Sequence, residues 1–270
     1  MITYYPNAKI NLGLNIVEKR PDGYHNIETI FYPIPLCDSL SIKSAQKLDF
    51  KILGITIDGN IEDNLVMKAY RLIEKDYNIP PISIILEKKI PFGAGLGGGS
   101  ADAAYMLRLL SDYFKLSISN DKLEHYASKL GADCPFFIKN EAVFASGIGN
   151  IFELSNISLK GYYMMLFKPN ISVSTADAYR MVVPSKASFD LRQLQNLSIE
   201  KWHKFIFNDF EHSVFTKYPQ IASIKEDLYA SGAIYASMSG SGSAVFGIYK
   251  KAPDITSMLQ SDIVWQGFLS

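Results

Sequence analysis

Five glycines crowd seven positions of this chain: Gly93, Gly95, Gly97, Gly98 and Gly99, inside PFGAGLGGGSADAA, residues 91–104. Residues without a Cβ let backbone turn tightly and come close to a bulky anion. Apolar alternation at Ile82, Ile84 and Leu86 precedes the run, and a helix-forming stretch from Ala101 to Phe114 follows it. Ser100 and Asp102 are expected in the first turn of that helix. A helix N-terminus offers unpaired N–H groups and partial positive charge, which suits phosphate. The segment reads as a nucleotide phosphate cradle.

Other readings of the glycines fare less well. A flexible linker rarely sits between two strongly patterned elements. Gly93, Gly95 and Gly98 satisfy G-x-G-x-x-G, but the dinucleotide fingerprint needs an acidic residue closing a second strand about 20 residues on. Here that region is helix end and loop, Phe114 to Ser119. No lysine precedes Ser100, so the Walker pattern is absent, and nothing resembles the V-A-I-K or H-R-D signatures of protein kinases. A phosphate loop of another family remains.

The elements around the loop are readable in outline. Residues 2–58 alternate short β-like runs with turn signals at Pro21-Asp22-Gly23 and Ile57-Asp58-Gly59. A helix over Leu65–Tyr77 puts Leu65, Ala69, Leu72 and Ile73 on one face. Ser119 reads as the N-cap of a helix bearing Leu123, Tyr126, Ala127 and Leu130, closed by Gly131 as its C′ residue. Mixed strands to about Leu154 complete a first domain, 1–156. The second domain, 157–270, runs strand (Tyr162–Phe167), helices ending with Ile221–Tyr229, strands Ala233–Met238 and Ala244–Tyr249, helix Asp254–Gln260 and a last strand near Val264. That order is β-α-β-β-α-β, the split ferredoxin-like pattern, with extra helices inserted. The fold class expected is therefore α+β in two domains.

Composition narrows the surroundings. The 27 basic and 27 acidic residues cancel, so an anionic ligand must be held by local geometry. No basic block points to nucleic acid, and no apolar run reaches membrane-spanning length. Two cysteines, Cys37 and Cys134, indicate no disulfide framework, and the N-terminus lacks a signal-peptide pattern. A soluble cytoplasmic protein is expected. No coiled-coil or self-complementary stripe specifies an oligomeric state.

Four further segments are ambiguous singly. In Asn7-Ala8-Lys9-Ile10-Asn11-Leu12, Lys9 and Asn11 share one strand face, which alone also reads as the solvated face of an edge strand. Arg20-Pro21-Asp22-Gly23-Tyr24-His25 is a turn with an aromatic and one of four histidines. Gly131-Ala132-Asp133-Cys134-Pro135 is equally a helix cap, and Met238-Ser239-Gly240-Ser241-Gly242-Ser243 equally a hairpin turn.

Taken together, they resemble the GHMP kinase superfamily. PFGAGLGGGSADAA is similar to its second motif and MSGSGSAVFG to its third. AKINLGL, RPDGYH, DNLV (Asp63–Val66) and GADCPFF (Gly131–Phe137) are similar to the branch that phosphorylates a cytidine-diphosphate-linked methylerythritol in the non-mevalonate isoprenoid pathway. The match runs from Lys9 to Gly247; Asn7 departs from it, since that family commonly has Pro there. The resemblance implies an N-terminal nucleotide-binding domain of the ribosomal protein S5 domain 2-like type, a C-terminal ferredoxin-like domain, and transfer of the γ-phosphoryl of ATP, with Mg²⁺, to a substrate hydroxyl.

It also implies roles. Asp133 would be the catalytic base and Lys9 its partner, holding the carboxylate ionised and steadying charge on the transferring group. ATP would contact Pro91, Phe92, Gly93, Ala94, Gly95, Leu96, Gly97, Gly98, Gly99, Ser100 and Ala101, with Asn64 and Leu65 at adenine. Ser100 would help hold Mg²⁺ or a β-phosphate oxygen. On the substrate side stand Asn11, Tyr24, His25, Tyr179, Ser239 and Gly240, with Tyr24 and Tyr179 sandwiching cytosine and His25 at its edge. Another GHMP small-molecule kinase, acting on mevalonate, homoserine or a sugar, is the enzymatic alternative. A catalytically dead nucleotide-binding module is the non-enzymatic one, and the presence of both Lys9 and Asp133 argues against it.

Overall fold

The computed structural model describes residues 1–56, 59–254 and 262–270. The turn expected at Ile57-Asp58-Gly59 and the helix expected over Asp254–Gln260 lie, but for their end residues, outside those described. Two compact units are assembled from interleaved stretches: Met1–Ala8, Pro35–Phe92 and Gly97–Glu141 form the first, and Lys9–Ile34, Gly93–Leu96 and Ala142–Ser270 the second.

The first unit contains a four-stranded sheet in the order β1 (Ile2–Tyr4), β4 (Ser39–Ser44), β6 (Ile82–Lys88), β5 (Asp49–Gly54). β6 runs parallel to β5 and antiparallel to β4. Its alternating Ile82, Ile84 and Leu86 are all 0 % exposed, as the period of two requires of a central strand. Helix α1 (Leu65–Tyr77) spans the residues expected of it, and α2 (Gly98–Tyr113) packs beside it. Ala101, Ala103, Ala104, Met106, Leu107, Leu109 and Leu110 of α2 are fully buried, so the helix is enclosed on most sides. Each large apolar side chain so buried contributes about 1.5–3 kcal/mol. Helix α3 (Asn120–Ser128) starts where expected, with Ser119 Oγ accepting from the Lys122 amide, and α4 (Phe136–Lys139) follows. α3 ends before Gly131, which therefore is not its C′ residue: the left-handed turn is replaced by successive amides of Lys129 and Leu130 closing back on Tyr126 and Ala127.

The second unit holds two sheets. One has the order β2 (Asn7–Lys19, its first two residues counted with the first unit), β3 (His25–Cys37, its residues from Pro35 on counted with the first unit), β7 (Val143–Ser146), β8 (Ile151–Leu154). β2 and β3 are 13 residues each, longer than the short runs expected, because the Arg20–Tyr24 turn folds one continuous apolar pattern back on itself. The other sheet has the order β10 (Tyr235–Met238), β11 (Val245–Tyr249), β9 (Tyr163–Phe167), β12 (Ile263–Phe268), antiparallel throughout. With α5 (Thr175–Tyr179), α6 (Ile199–Trp202), α7 (Phe210–Lys217) and α8 (Pro219–Ala230) between β9 and β10, the four strands and the helices before the second of them follow the ferredoxin-like order anticipated, as far as the described residues go. Phe167, Ile221, Leu228, Met238 and Val245 sit in its core.

β10 is an edge strand whose unpaired groups are taken by side chains. Glu211 accepts from the Met238 amide at 2.9 Å, and Tyr229 donates to the Ala236 carbonyl at 3.2 Å. Asn208 Nδ2 donates to the carbonyls of Met238 and Gly240, both at 2.8 Å. An edge satisfied in this way offers little to another strand, and the Ser/Gly turn after it is pinned in place.

Candidate active site

In the first unit the loop ends at Gly97, whose φ of +70° places it in the left-handed region, and α2 begins with the last two glycines of the run, Gly98 and Gly99. Among the described residues no side-chain hydrogen bond caps this helix, and its first turn carries no acidic residue. Asp102, expected in that turn, lies deeper and is 2 % exposed, because α2 starts earlier than the apolar pattern indicates. The first turn of this 16-residue helix thus brings no carboxylate of its own to its unpaired amides, an arrangement suited to an anion. Phe92 at the loop's start is 71 % exposed.

Two other predicted segments meet this helix start. Leu65 packs beside Gly99, where an added Cβ would stand 3.9 Å from its Cδ1. Asn64 caps α1, its Oδ1 accepting from the Val66 amide at 2.9 Å. On another side, the Cys134 thiol hydrogen-bonds with Ser100, and the charge of the neighbouring Asp133 acts on it. Burial, the largest influence, pushes that thiol up to about 11, so it stays protonated. Asp133 itself is half-buried. Within this unit, then, Asn64, Leu65, Gly99, Ser100 and Asp133 converge. Cys134 joins them; nothing in the pattern around it gives a chemical reason to single it out.

The second unit brings together Lys9, Asn11, Gly95 and Ser239. Lys9 is 4 % exposed and Asn11 2 %, so the solvated-edge reading of this strand does not hold. Lys9 Nζ donates to Asn11 Oδ1 at 2.7 Å and to the Gly95 carbonyl at 3.2 Å, and lies 4.8 Å from the Phe31 ring centroid. A buried ammonium costs several kcal/mol unless it is solvated by such dipoles. Asn11 Nδ2 in turn donates to Thr29 Oγ1 at 2.9 Å, and Thr29 donates to the Gly13 carbonyl at 2.5 Å. Ser239 Oγ donates to the Gly95 carbonyl at 2.9 Å. The Lys9 amide reaches the Leu96 carbonyl at 3.0 Å, and the Ala244 amide the Ala94 carbonyl at 3.2 Å. Gly95, φ +76°, has no alternative here: a Cβ would fall 1.9 Å from the Ser239 carbonyl oxygen. Gly240, φ +55°, approaches it from the other chain segment, its own added Cβ meeting the Gly95 Cα at 3.1 Å. Asn208, which holds the Ser/Gly turn, was missed from the sequence because a lone asparagine at a helix start has no distinguishing pattern.

The aromatic cluster lies in the same unit. His25 stacks on Tyr179, with ring centroids 4.5 Å apart and planes 21° from parallel, and Phe210 meets Tyr179 edge-on at 4.8 Å. Burial, helped by the charge of Lys19, holds the His25 imidazole below its ordinary value and so favours the neutral ring. Tyr24 is 62 % exposed. The structure joins Tyr179 to His25, and leaves Tyr24 at the surface.

Among the described residues no group of three or more histidines, cysteines or acidic side chains could hold a metal ion. Asp102, the acidic residue nearest in sequence to the loop, is turned inward onto Lys88. Ser100 is therefore the oxygen donor that the helix start retains. That suits Mg²⁺ carried in on phosphate oxygens and water, which is how this ion is usually bound, and not an all-protein cage.

Comparison with known proteins fits this construction. Residues 64–141 match the family model described as GHMP kinases N terminal domain, and residues 190–261 match GHMP kinases C terminal. A protein of Bacteroides fragilis named 4-diphosphocytidyl-2-C-methyl-D-erythritol kinase is 55 % identical over 262 residues, covering 96 % of this chain and 95 % of its own. One of the same name from Parabacteroides distasonis is 53 % identical over 268 residues, covering 98 % and 99 %. A crystal structure of 4-(cytidine 5'-diphospho)-2C-methyl-D-erythritol kinase superposes with a TM-score of 0.78 at 30 % identity, over 92 % of this chain and 90 % of that one. Mevalonate kinase from Methanococcus jannaschii, at 14 % identity and a TM-score of 0.68, shares the fold.

Proposed function

The chain belongs to the GHMP kinases, in the branch of the 4-diphosphocytidyl-2-C-methyl-D-erythritol kinases, and on that footing we propose how its residues carry the reaction. It is an ATP-dependent kinase acting on a hydroxyl of 4-diphosphocytidyl-2-C-methyl-D-erythritol, the hydroxyl at position 2. The substrate oxygen attacks the γ-phosphorus, the bond from that phosphorus to the β,γ-bridging oxygen breaks, and ADP leaves. Asp133 accepts the proton that the hydroxyl gives up, with Lys9 as its cationic partner. The transition state is loose, so positioning and charge stabilisation supply most of the rate.

The observation that carries this reading is the buried amine of Lys9 on the Gly95 carbonyl, which fastens the AKINL strand to the glycine loop. Residues 91–101 hold the triphosphate through backbone amides and the α2 N-terminus, with Asn64 and Leu65 at adenine. Mg²⁺ would be held by triphosphate oxygens with Ser100, and would neutralise charge on the β and γ oxygens. Tyr179 and Tyr24 stack on cytosine and His25, neutral, bonds its edge; stacking of this kind is worth roughly 1–3 kcal/mol per base. Asn11, Ser239 and Gly240 face the methylerythritol side. The division into an ATP-binding domain, 1–156, and a ferredoxin-like domain, 157–270, and a cytoplasmic location belong to the same proposal.

The test is Asp133→Ala. Turnover of the cytidine substrate should vanish while binding of a non-hydrolysable ATP analogue, followed by calorimetry, stays near wild type. Undiminished turnover would remove Asp133 from the chemistry.

A further inference from the structure

Three charged side chains are shut away from water where the glycine loop leaves its strand and enters its helix. Lys88, the last residue of β6, is 3 % exposed, Asp38 1 % and Asp102 2 %. Lys88 Nζ donates to Asp102 Oδ2 at 2.7 Å and to Asp38 Oδ2. Asp38 also holds backbone, since its Oδ1 accepts from the amides of Lys89 at 2.5 Å and Ile90 at 2.8 Å. So Asp38 grips the chain just where it departs from β6, Asp102 belongs to α2, and Lys88 ties one to the other. Gly98, the first residue of α2, closes over them. A Cβ there would stand 2.8 Å from Ile90 Cγ2 and 3.4 Å from Lys88 Nζ.

Such a cluster is poorly suited to stability alone. Two carboxylates share one ammonium, and Asp102 Oδ1 has no hydrogen-bond partner among the described residues. Buried ion triads replaced by apolar side chains of similar volume often gain stability. What the cluster does supply is a fixed spacing between the two ends of the loop, by short, directional bonds to both.

We propose that Lys88, Asp38 and Asp102 form a clamp that sets the separation of the loop's two ends, and thereby aims the α2 amides at the triphosphate of ATP. They are positioning residues, since all three are shut away from the surface that a nucleotide could reach. The proposal rests on the reading of residues 91–101 as the ATP loop.

The variant Asp102→Leu tests it. Leucine repeats the branched outline of aspartate with methyls in place of oxygens, cuts the helix-side arm, and leaves Lys88 and Asp38 a neutral pair. The chain should therefore fold with an undiminished melting temperature. Misplacing reacting or binding groups by about 1 Å costs up to roughly a hundredfold, so the KM for ATP should rise at least about tenfold. The KM for the cytidine substrate should not move. Asp102→Asn, which can still accept from Lys88, should recover most of the loss. Amide hydrogen exchange over residues 93–101, with and without a non-hydrolysable ATP analogue, separates the clamp from the loop reading beneath it. If the analogue leaves these amides unprotected in the wild type, the ATP-loop reading fails. If it protects them, and folded Asp102→Leu binds ATP with wild-type affinity, the clamp fails. Should Asp102→Leu not fold, the same comparison is made on Asp102→Ala, which cuts the same arm without adding bulk: a raised KM for ATP alone supports the clamp, and a wild-type value refutes it.

Discussion

Replacing Gly95 by alanine should cost far more than the same change two residues earlier. At Gly95 the new Cβ would lie 1.9 Å from the Ser239 carbonyl oxygen and 2.8 Å from its carbon, at a φ of +76°. Carbon–oxygen contacts close at about 3.3 Å, so one backbone must retreat by about 1.4 Å. That retreat stretches the bonds from Lys9 Nζ and Ser239 Oγ to the Gly95 carbonyl, and strains those joining Lys9 to Leu96 and Ala244 to Ala94. Each net bond is worth about 1 kcal/mol, more where charged, and left-handed backbone adds about 1–2 kcal/mol. A loss on the order of 4 kcal/mol follows, equivalent to a fall in Tm of about 10 °C in a chain of this size. At Gly93, φ +63°, an added Cβ meets nothing among the described residues within 4 Å. Gly93→Ala should therefore lose only the conformational part, about 1–2 kcal/mol. Calorimetric melting of both variants beside the wild type, with kcat and KM for ATP, reads the difference. Equal melting temperatures for the two alanine variants would refute the packing argument at Gly95.

Two further outcomes are specific. Burial, only partly offset by Lys88, raises Asp102 from the ordinary 3.8 to about 7. The folded chain then keeps a proton that the unfolded chain has shed, so stability declines as pH rises from about 4 to 7. The slope reflects the proton that burial holds on the folded chain. Urea unfolding across that window should show the slope in the wild type and a flatter one in Asp102→Asn; an unchanged slope would assign the dependence elsewhere. Tyr179→Ala removes the ring against His25. The KM for the cytidine substrate should rise by roughly 5- to 150-fold, the equivalent of about 1–3 kcal/mol of stacking, with the KM for ATP unchanged. A matching rise for ATP would point to general damage.

Local pattern determined much of this protein before any folding was considered. Helix α1 follows from apolar spacing between Leu65 and Ile73, the Ser119 cap from one hydroxyl ahead of an amphipathic run, and the antiparallel ferredoxin-like sheet from strand order along the chain. The phosphate loop is readable because glycine is the residue that gives left-handed backbone and close approach at little cost, and five of them within seven positions have few other uses. Period and composition are properties of neighbours in sequence, and these elements depend on neighbours.

Long-range contact settled the rest. Nothing near Lys9 in sequence says whether its strand face is wet; the carbonyl of Gly95, 86 residues away, and the Phe31 ring make it a buried cation. Asp102 reads as a first-turn residue until α2 begins at Gly98 and Lys88 draws the carboxylate inward. Asn208 carries no signal until it meets the carbonyls of Met238 and Gly240. Burial and hydrogen-bond partnership are sums over residues far apart in the chain, so the charges that matter most here acquire their meaning only after the chain has closed around them.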